Sequence, residues 1–171
     1  MTIIIGIDPG SRKTGYGIIK VEAKGSRYLT SGHLALKGDQ LAERLQQLFT
    51  GLRELVDQYQ PDEAAIEQVF VQENVNSALK LGQARGAAIV AVNRPIAEYS
   101  PRTIKQAITG YGNAAKEQIQ VMVQRLLNIN TKLQPDEADA LAVALCHAHS
   151  RVLLVMNKLP RAKVPKTIPL D

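Results

Sequence analysis

Four acidic side chains in this 171-residue chain stand where carboxylates can do chemistry: Asp8, Glu67, Asp136 and Asp139. Asp8 follows the β-type run Thr2-Ile3-Ile4-Ile5-Gly6-Ile7 and opens a turn rich in glycine and basic residues, Pro9-Gly10-Ser11-Arg12-Lys13-Thr14-Gly15. Glu67 ends the short apolar run Ala64-Ala65-Ile66. Asp136 and Asp139 lie three apart beside Pro135, a spacing that sets both on one face of a first helical turn. A carboxylate held at a rigid strand end has two common uses: holding a divalent metal, or facing a phosphate through that metal. Each also has an ordinary explanation. Asp is a turn residue, and acids in a first helical turn complement the helix dipole. Four carboxylates converging without cations would repel and raise one another's pKa. Two Mg²⁺ ions about 3.5–4 Å apart would neutralise such a patch and clamp a phosphodiester.

The elements that must position these groups follow from the apolar pattern. Three β-like segments come first, 2–7, 15–20 and 27–34, separated by short turns as in an antiparallel meander. Leu41, Leu45, Leu48, Leu52, Leu55 and Tyr59 then recur at alternating steps of four and three, which builds one apolar helix face ended by Pro61. Residues 62–66 read as a short buried strand. An Ala- and Gly-rich helix is expected over 76–92 and a further strand over 96–100. Pro101 can open a short helix, which Gly110-Tyr111-Gly112 breaks. Asn113 is expected to cap a helix carrying Ile119, Met122, Val123, Leu126 and Leu127. Pro135-Asp136 opens the last helix, apolar from Ala138 to Cys146. The sum is an α/β domain with a mixed sheet. Residues 1–150 read as that domain. Residues 151–171 read as a basic tail, with Arg151, Lys158, Arg161, Lys163 and Lys166 set against Asp171 and interrupted by three prolines.

Composition narrows the class. An apolar fraction of 45% with 22% charged residues suits a soluble globular protein. No run reaches the length that spans a bilayer and no apolar leader opens the chain, so a cytoplasmic location with no membrane partner is expected. One cysteine, Cys146, rules out an internal disulfide. The balance of 21 Lys+Arg against 16 Asp+Glu gives a formal +5, compatible with nucleic acid without establishing it.

The motifs resemble, in order, those of the RuvC family of Holliday junction resolvases. Residues 6–17, Gly-Ile-Asp-Pro-Gly-Ser-Arg-Lys-Thr-Gly-Tyr-Gly, are similar to the family's opening motif. Ile66-Glu67-Gln68-Val69-Phe70 is similar to its second motif, residues 76–86 to its next helix, and Asp136-Glu137-Ala138-Asp139-Ala140-Leu141-Ala142 to its last motif. The resemblance runs from residue 2 to about 149. It implies a ribonuclease-H-like fold, with a mixed five-stranded sheet (an antiparallel meander plus parallel strands) flanked by helices. It implies that Asp8, Glu67, Asp136 and Asp139 hold two Mg²⁺ per subunit, with Mn²⁺ a possible substitute. It further implies a homodimer that cuts four-way DNA junctions by paired hydrolytic nicks on opposed strands, leaving 5′-phosphate and 3′-hydroxyl ends. A partnership with an ATP-driven branch-migration helicase complex follows by the same analogy. Some relatives carry a His in the last motif; here two Asp stand there, so His147 and His149 are read as structural.

The resemblance also puts Lys105 and Lys116 at the rim of the site, where an ammonium offsets charge developing on a phosphate. Phe70 is the aromatic that the family sets against unpaired bases, although a core role is its default. Arg12 and Lys13, in the turn after Asp8, are candidates for phosphate contact. Arg85 is another, with an intrachain ion pair as its alternative. The small residues of 78–91 suit either a dimer surface or burial within one subunit. Three other readings compete: a sugar-kinase or actin-like ATPase, which needs two such domains; a junction-binding module without catalysis; and a nuclease of the same fold acting on RNA:DNA hybrids or flaps.

Overall fold

The computed structural model describes residues 1–69 and 74–158, with side chains as far as Arg151. The chain runs β1 (Thr2–Asp8), β2 (Lys13–Glu22), β3 (Gly25–Ala35), α1 (Leu41–Tyr59), β4 (Glu63–Glu67), α2 (Val75–Val92), β5 (Ile96–Tyr99), α3 (Pro101–Thr109), α4 (Lys116–Leu127) and α5 (Pro135–Lys158). One five-stranded sheet has the order β3-β2-β1-β4-β5. β1, β2 and β3 pair antiparallel, whereas β4 and β5 continue from β1 in parallel. That is the ribonuclease-H-like arrangement the resemblance implied.

Both faces of the sheet are covered, which is why β1 reads as a continuous apolar run rather than an alternating one. Ile5, Ile7, Ile18, Ala64 and Ile66 pack with Leu48, Leu52 and Val56 of α1 and Ala84, Ala88 and Val92 of α2. Ile4, Ile19 and Ala65 pack on the other face with α3, α4 and α5. Side chains alternate along a strand. Ile4 and Ala65 face α5, so Asp8, four residues on from Ile4, and Glu67, two on from Ala65, face it too.

Three glycines set how closely α5 lies on that face. A Cβ at Gly6 would overlap the Ala140 carbonyl oxygen, one at Gly15 would overlap that of Asp136, and one at Gly17 would stand 2.7 Å from Leu141 Cδ2. The helix backbone therefore rests directly on β1 and β2. Gly15 is the register partner of Asp8, so the first turn of α5 sits beside the end of β1.

Several boundaries differ from the sequence expectation. β2 and β3 are longer than 15–20 and 27–34, because their pairing continues to a tight turn at Glu22↔Gly25. α2 begins at Val75, with the Asn74 side chain accepting from the Ser77 N–H at 3.0 Å. Asn113 is not the cap of α4. Ala114 is buried, and the chain turns into the helix only after Ala115, whose N–H donates to Gln118 Oε1 at 2.9 Å. α5 does not stop at Ser150; it runs to Lys158, so the change of character at 151 falls inside a helix.

Candidate active site

β1 and β4 are parallel and their register pairs Ile7 with Ile66. Asp8 and Glu67 are the next residues on each strand, so they end adjacent strands at the same edge of the sheet, roughly 4.8 Å apart in strand spacing. Asp136, in the first turn of α5, and Asp139, three residues further along the same helix, come to that edge from above. The four carboxylates share one electrostatic field. Asp8 is pushed up to about 7, first by burial and then by the negative charges of Asp139, Glu67 and Asp136. Glu67 is raised by burial and by Asp139. Asp139 is raised by burial, against the opposing effect of Lys116.

Two lysines offset this charge. Lys116 Nζ stands 3.5 Å from Asp139 Oδ2, and Asp139 above all raises its pKa. Lys13, at the start of β2, pairs with the Asp136 carboxylate. Lys105, half-buried on α3, lines a recess with Glu67, Lys116 and Asp139. On the other side of the carboxylates lies a cleft of about 500 Å³, walled by Asp8, Glu67 and Gln68 and by Asn74, Ser77 and Leu81 at the start of α2.

As these side chains stand, no group of three His, Cys, Asp or Glu among the described residues is close enough to hold one ion. The donor set nonetheless fits a hard divalent cation. It is all oxygen, it is strongly self-repelling, and two of its members already engage ammonium groups that a metal would replace.

The other expected contacts divide. Arg12 is exposed, in the turn between β1 and β2. Arg85 faces β5 rather than open solvent and pairs with Glu98 at 2.5 Å, the intrachain alternative. Phe70 lies outside the described residues. His147 is buried, with bonds to Tyr99 and Glu63, while His149 is exposed.

Two features escaped sequence reasoning. One is the glycine floor beneath α5, legible only as the repeated Gly6, Gly15 and Gly17. The other is Arg44, which is buried and has no carboxylate partner among the described residues. Its Nε donates to the Ser11 carbonyl, and its Nη1 donates to those of Gly38 and Asp39, each at 2.8 Å. It ties the turn after Asp8 to the start of α1. An arginine at the edge of an apolar helix face was its only trace in the sequence.

A family model described as crossover junction endodeoxyribonuclease RuvC matches residues 4–147. The RuvC of Psychromonas ingrahamii is 52% identical over 171 residues, covering 98% of this chain and 97% of its own. That of Pseudoalteromonas atlantica is 56% identical over the same length, with the same coverage. The structure of Thermus thermophilus RuvC in complex with Holliday junction substrate superposes with a TM-score of 0.82 at 33% identity, covering 89% of this chain and 96% of that one. The chain belongs to the RuvC family of crossover junction endodeoxyribonucleases.

Proposed function

We propose that this protein resolves four-way DNA junctions by divalent-metal-dependent hydrolysis of one phosphodiester per subunit. The observation that carries the reading is the pairing of Asp8 and Glu67 at adjacent parallel strand ends, in one field with Asp136 and Asp139. These four side chains would hold the ions, two Mg²⁺ per subunit with Mn²⁺ as substitute. When bound, such ions supply an acidified water and charge compensation at a leaving oxygen. Attack of water on phosphorus would break the P–O3′ bond, leaving the phosphate on the 5′ end and, once protonated, a 3′-hydroxyl.

The chain's own residues bind and orient. Asp8 and Glu67 are fixed by the sheet and Asp136 and Asp139 by the helix, so substrate binding need not assemble them. Lys116 and Lys105 bring positive charge to the edge where a scissile phosphate would lie. Arg12 and, once released from Asp136, Lys13 would contact the DNA backbone beside it, making binding salt-sensitive. Arg85 joins them only by leaving Glu98. Phe70 would stack on bases unpaired at the crossover. Residues 1–150 would form the nuclease unit, with 151–171 adding basic charge.

A homodimer suits a junction with approximate two-fold symmetry, giving paired nicks on opposed strands. α2 offers a surface for it. Ala84, Ala88 and Ala91 are buried within the subunit, but Val75, Leu79 and Val90 are exposed on the same helix as the open Gly82 and Gly86. A branch-migration helicase complex would deliver the junction. No helix among the described residues is long and apolar enough to cross a membrane, in keeping with action on cytoplasmic DNA.

The test is a cleavage assay with Mg²⁺ on a synthetic four-way junction, a linear duplex and an RNA:DNA hybrid. Selective, symmetric nicking of the junction, lost in Asp8→Asn while junction binding survives, is expected. Preference for the hybrid would move the protein to another substrate class, and full activity of Asp8→Asn would remove the metal reading.

A further inference from the structure

α5 carries two of the four carboxylates, and β4 carries a third. How far Glu67 stands from Asp139 therefore depends on how α5 is seated along β4. The glycine floor seats α5 on β1 and β2, but the apolar contacts towards β4 and β5 are non-directional. Hydrogen bonds are directional. Among the described residues, side-chain bonds from α5 to β4 and β5 gather at one place, about 12 Å along the helix from Asp139.

That place is the ring of His147, which is 7% exposed. Its Nε2 lies 2.8 Å from Glu63 Oε2 at the start of β4. Its Nδ1 lies 2.8 Å from Tyr99 Oη at the end of β5. Arg151 Nε joins the same Glu63 oxygen at 2.6 Å. Burial holds the imidazole below its ordinary pKa. In the neutral ring, Nε2–H donates to the carboxylate and Nδ1 accepts from the tyrosine hydroxyl, so each ring nitrogen is satisfied. Tyr99 in turn borders the site: it is the register partner of Glu67, and its carbonyl accepts from the Gln68 N–H at 2.8 Å.

We infer that His147 is a positioning residue for the nuclease centre: it braces α5 against both ends of the β4–β5 pair and so fixes the reach between Glu67 and Asp139. The role rests on the metal reading above. It touches neither DNA nor ion, and a change at His147 is felt through the spacing of ligands it does not contact. Loss of a residue hydrogen-bonded to a metal ligand typically costs 10–100-fold in metal affinity, and a brace one step further out falls at the low end of that range.

The experiment is calorimetric titration of the folded protein with Mn²⁺, without DNA and well below each variant's Tm. His147→Leu, which removes both bonds at similar volume, should weaken Mn²⁺ binding about tenfold. His147→Gln, which keeps a donor and an acceptor, should restore most of it. Leu52→Ala, a cavity on the other face of the sheet, should lower Tm and leave the titration unchanged. Where His147→Leu does not fold, Tyr99→Phe deletes one hydroxyl and should still weaken binding measurably. Wild-type affinity in the His147 and Tyr99 variants, or equal weakening by Leu52→Ala, overturns the brace while the metal site stands. A wild-type protein that takes up no Mn²⁺ overturns the metal reading and the brace with it.

Discussion

Lys116 Nζ stands 3.5 Å from Asp139 Oδ2, and the two sit on different helices, α4 and α5. With no metal bound, the ammonium does part of a metal's electrostatic work. It lowers the pKa of Asp8, Glu67 and Asp139 together. It also competes with a cation for Asp139.

Lys116→Met should therefore have two opposed effects. Removing a competing ammonium should tighten Mn²⁺ binding. Removing positive charge beside the scissile phosphate should slow single-turnover cleavage at saturating metal by about 10²-fold. Titration and single-turnover kinetics on the same preparation separate the two. Slower cleavage that extra metal fully repairs would assign Lys116 to metal loading alone.

Asp8 makes the metal-free protein sensitive to pH. Its folded-state pKa, about 7, lies above the ordinary carboxylate value of 3.8. The folded state thus holds the proton more tightly than the unfolded chain. The stability linked to this group is fully present below about pH 4 and is lost as pH rises through about 7. Its size is on the order of a few kcal/mol. In EDTA, the Tm of the wild type should fall between pH 5 and pH 8 more than that of Asp8→Asn. Metal binding expels the same proton, so Mn²⁺ affinity should climb with pH over that interval. Parallel Tm curves for the two proteins would show that Asp8 is ionised throughout.

Gly15→Ala and Gly17→Ala probe the glycine floor. A methyl group at Gly15 meets backbone, the Asp136 carbonyl, which cannot swing aside. At Gly17 the nearest atoms are the Leu141 side chain at 2.7 Å and the Leu141 backbone nitrogen at 2.8 Å, one turn away from Asp136. Overpacking of this kind costs about 1–3 kcal/mol. Gly15→Ala should lift the first turn of α5 and reduce cleavage well beyond its effect on Tm. Gly17→Ala should mainly cost stability. Thermal melts and cleavage rates of the pair check this, and equal activity loss in both would argue against a local effect on Asp136.

The parts of the site that sequence reasoning reached are those with local signatures. Asp8 and Glu67 each end an apolar run, and Asp136 and Asp139 share a helix turn after a proline. What brings them together is not local. The β1–β4 register, the contact of Gly15 with Asp136 and the bonds of His147 to Glu63, 84 residues away, arise only when the chain closes on itself. Asn113 misled for a related reason. It has the right chemistry for a cap, but the burial of Ala114 moves the helix start two residues on.

The outer face of α2 predicts the assembly. Val75, Leu79 and Val90 are 61%, 60% and 67% exposed, a costly display for three aliphatic side chains on one helix. Gly82 and Gly86 between them leave room for a second backbone to approach. Buried apolar surface stabilises by about 25 cal/mol per Å², so charges placed here should disrupt a dimer without disturbing the subunit core. The wild type should sediment as a dimer and Leu79→Glu combined with Val90→Glu as a monomer, with Tm little changed at low concentration. The monomer should still nick a four-way junction, since all four carboxylates belong to one chain. Its two nicks should then arrive independently, so that a cruciform plasmid accumulates as nicked circle instead of passing directly to linear product. Direct linearisation by a monomeric variant would detach paired cleavage from dimer formation, and a variant that stays dimeric would place the interface on another face.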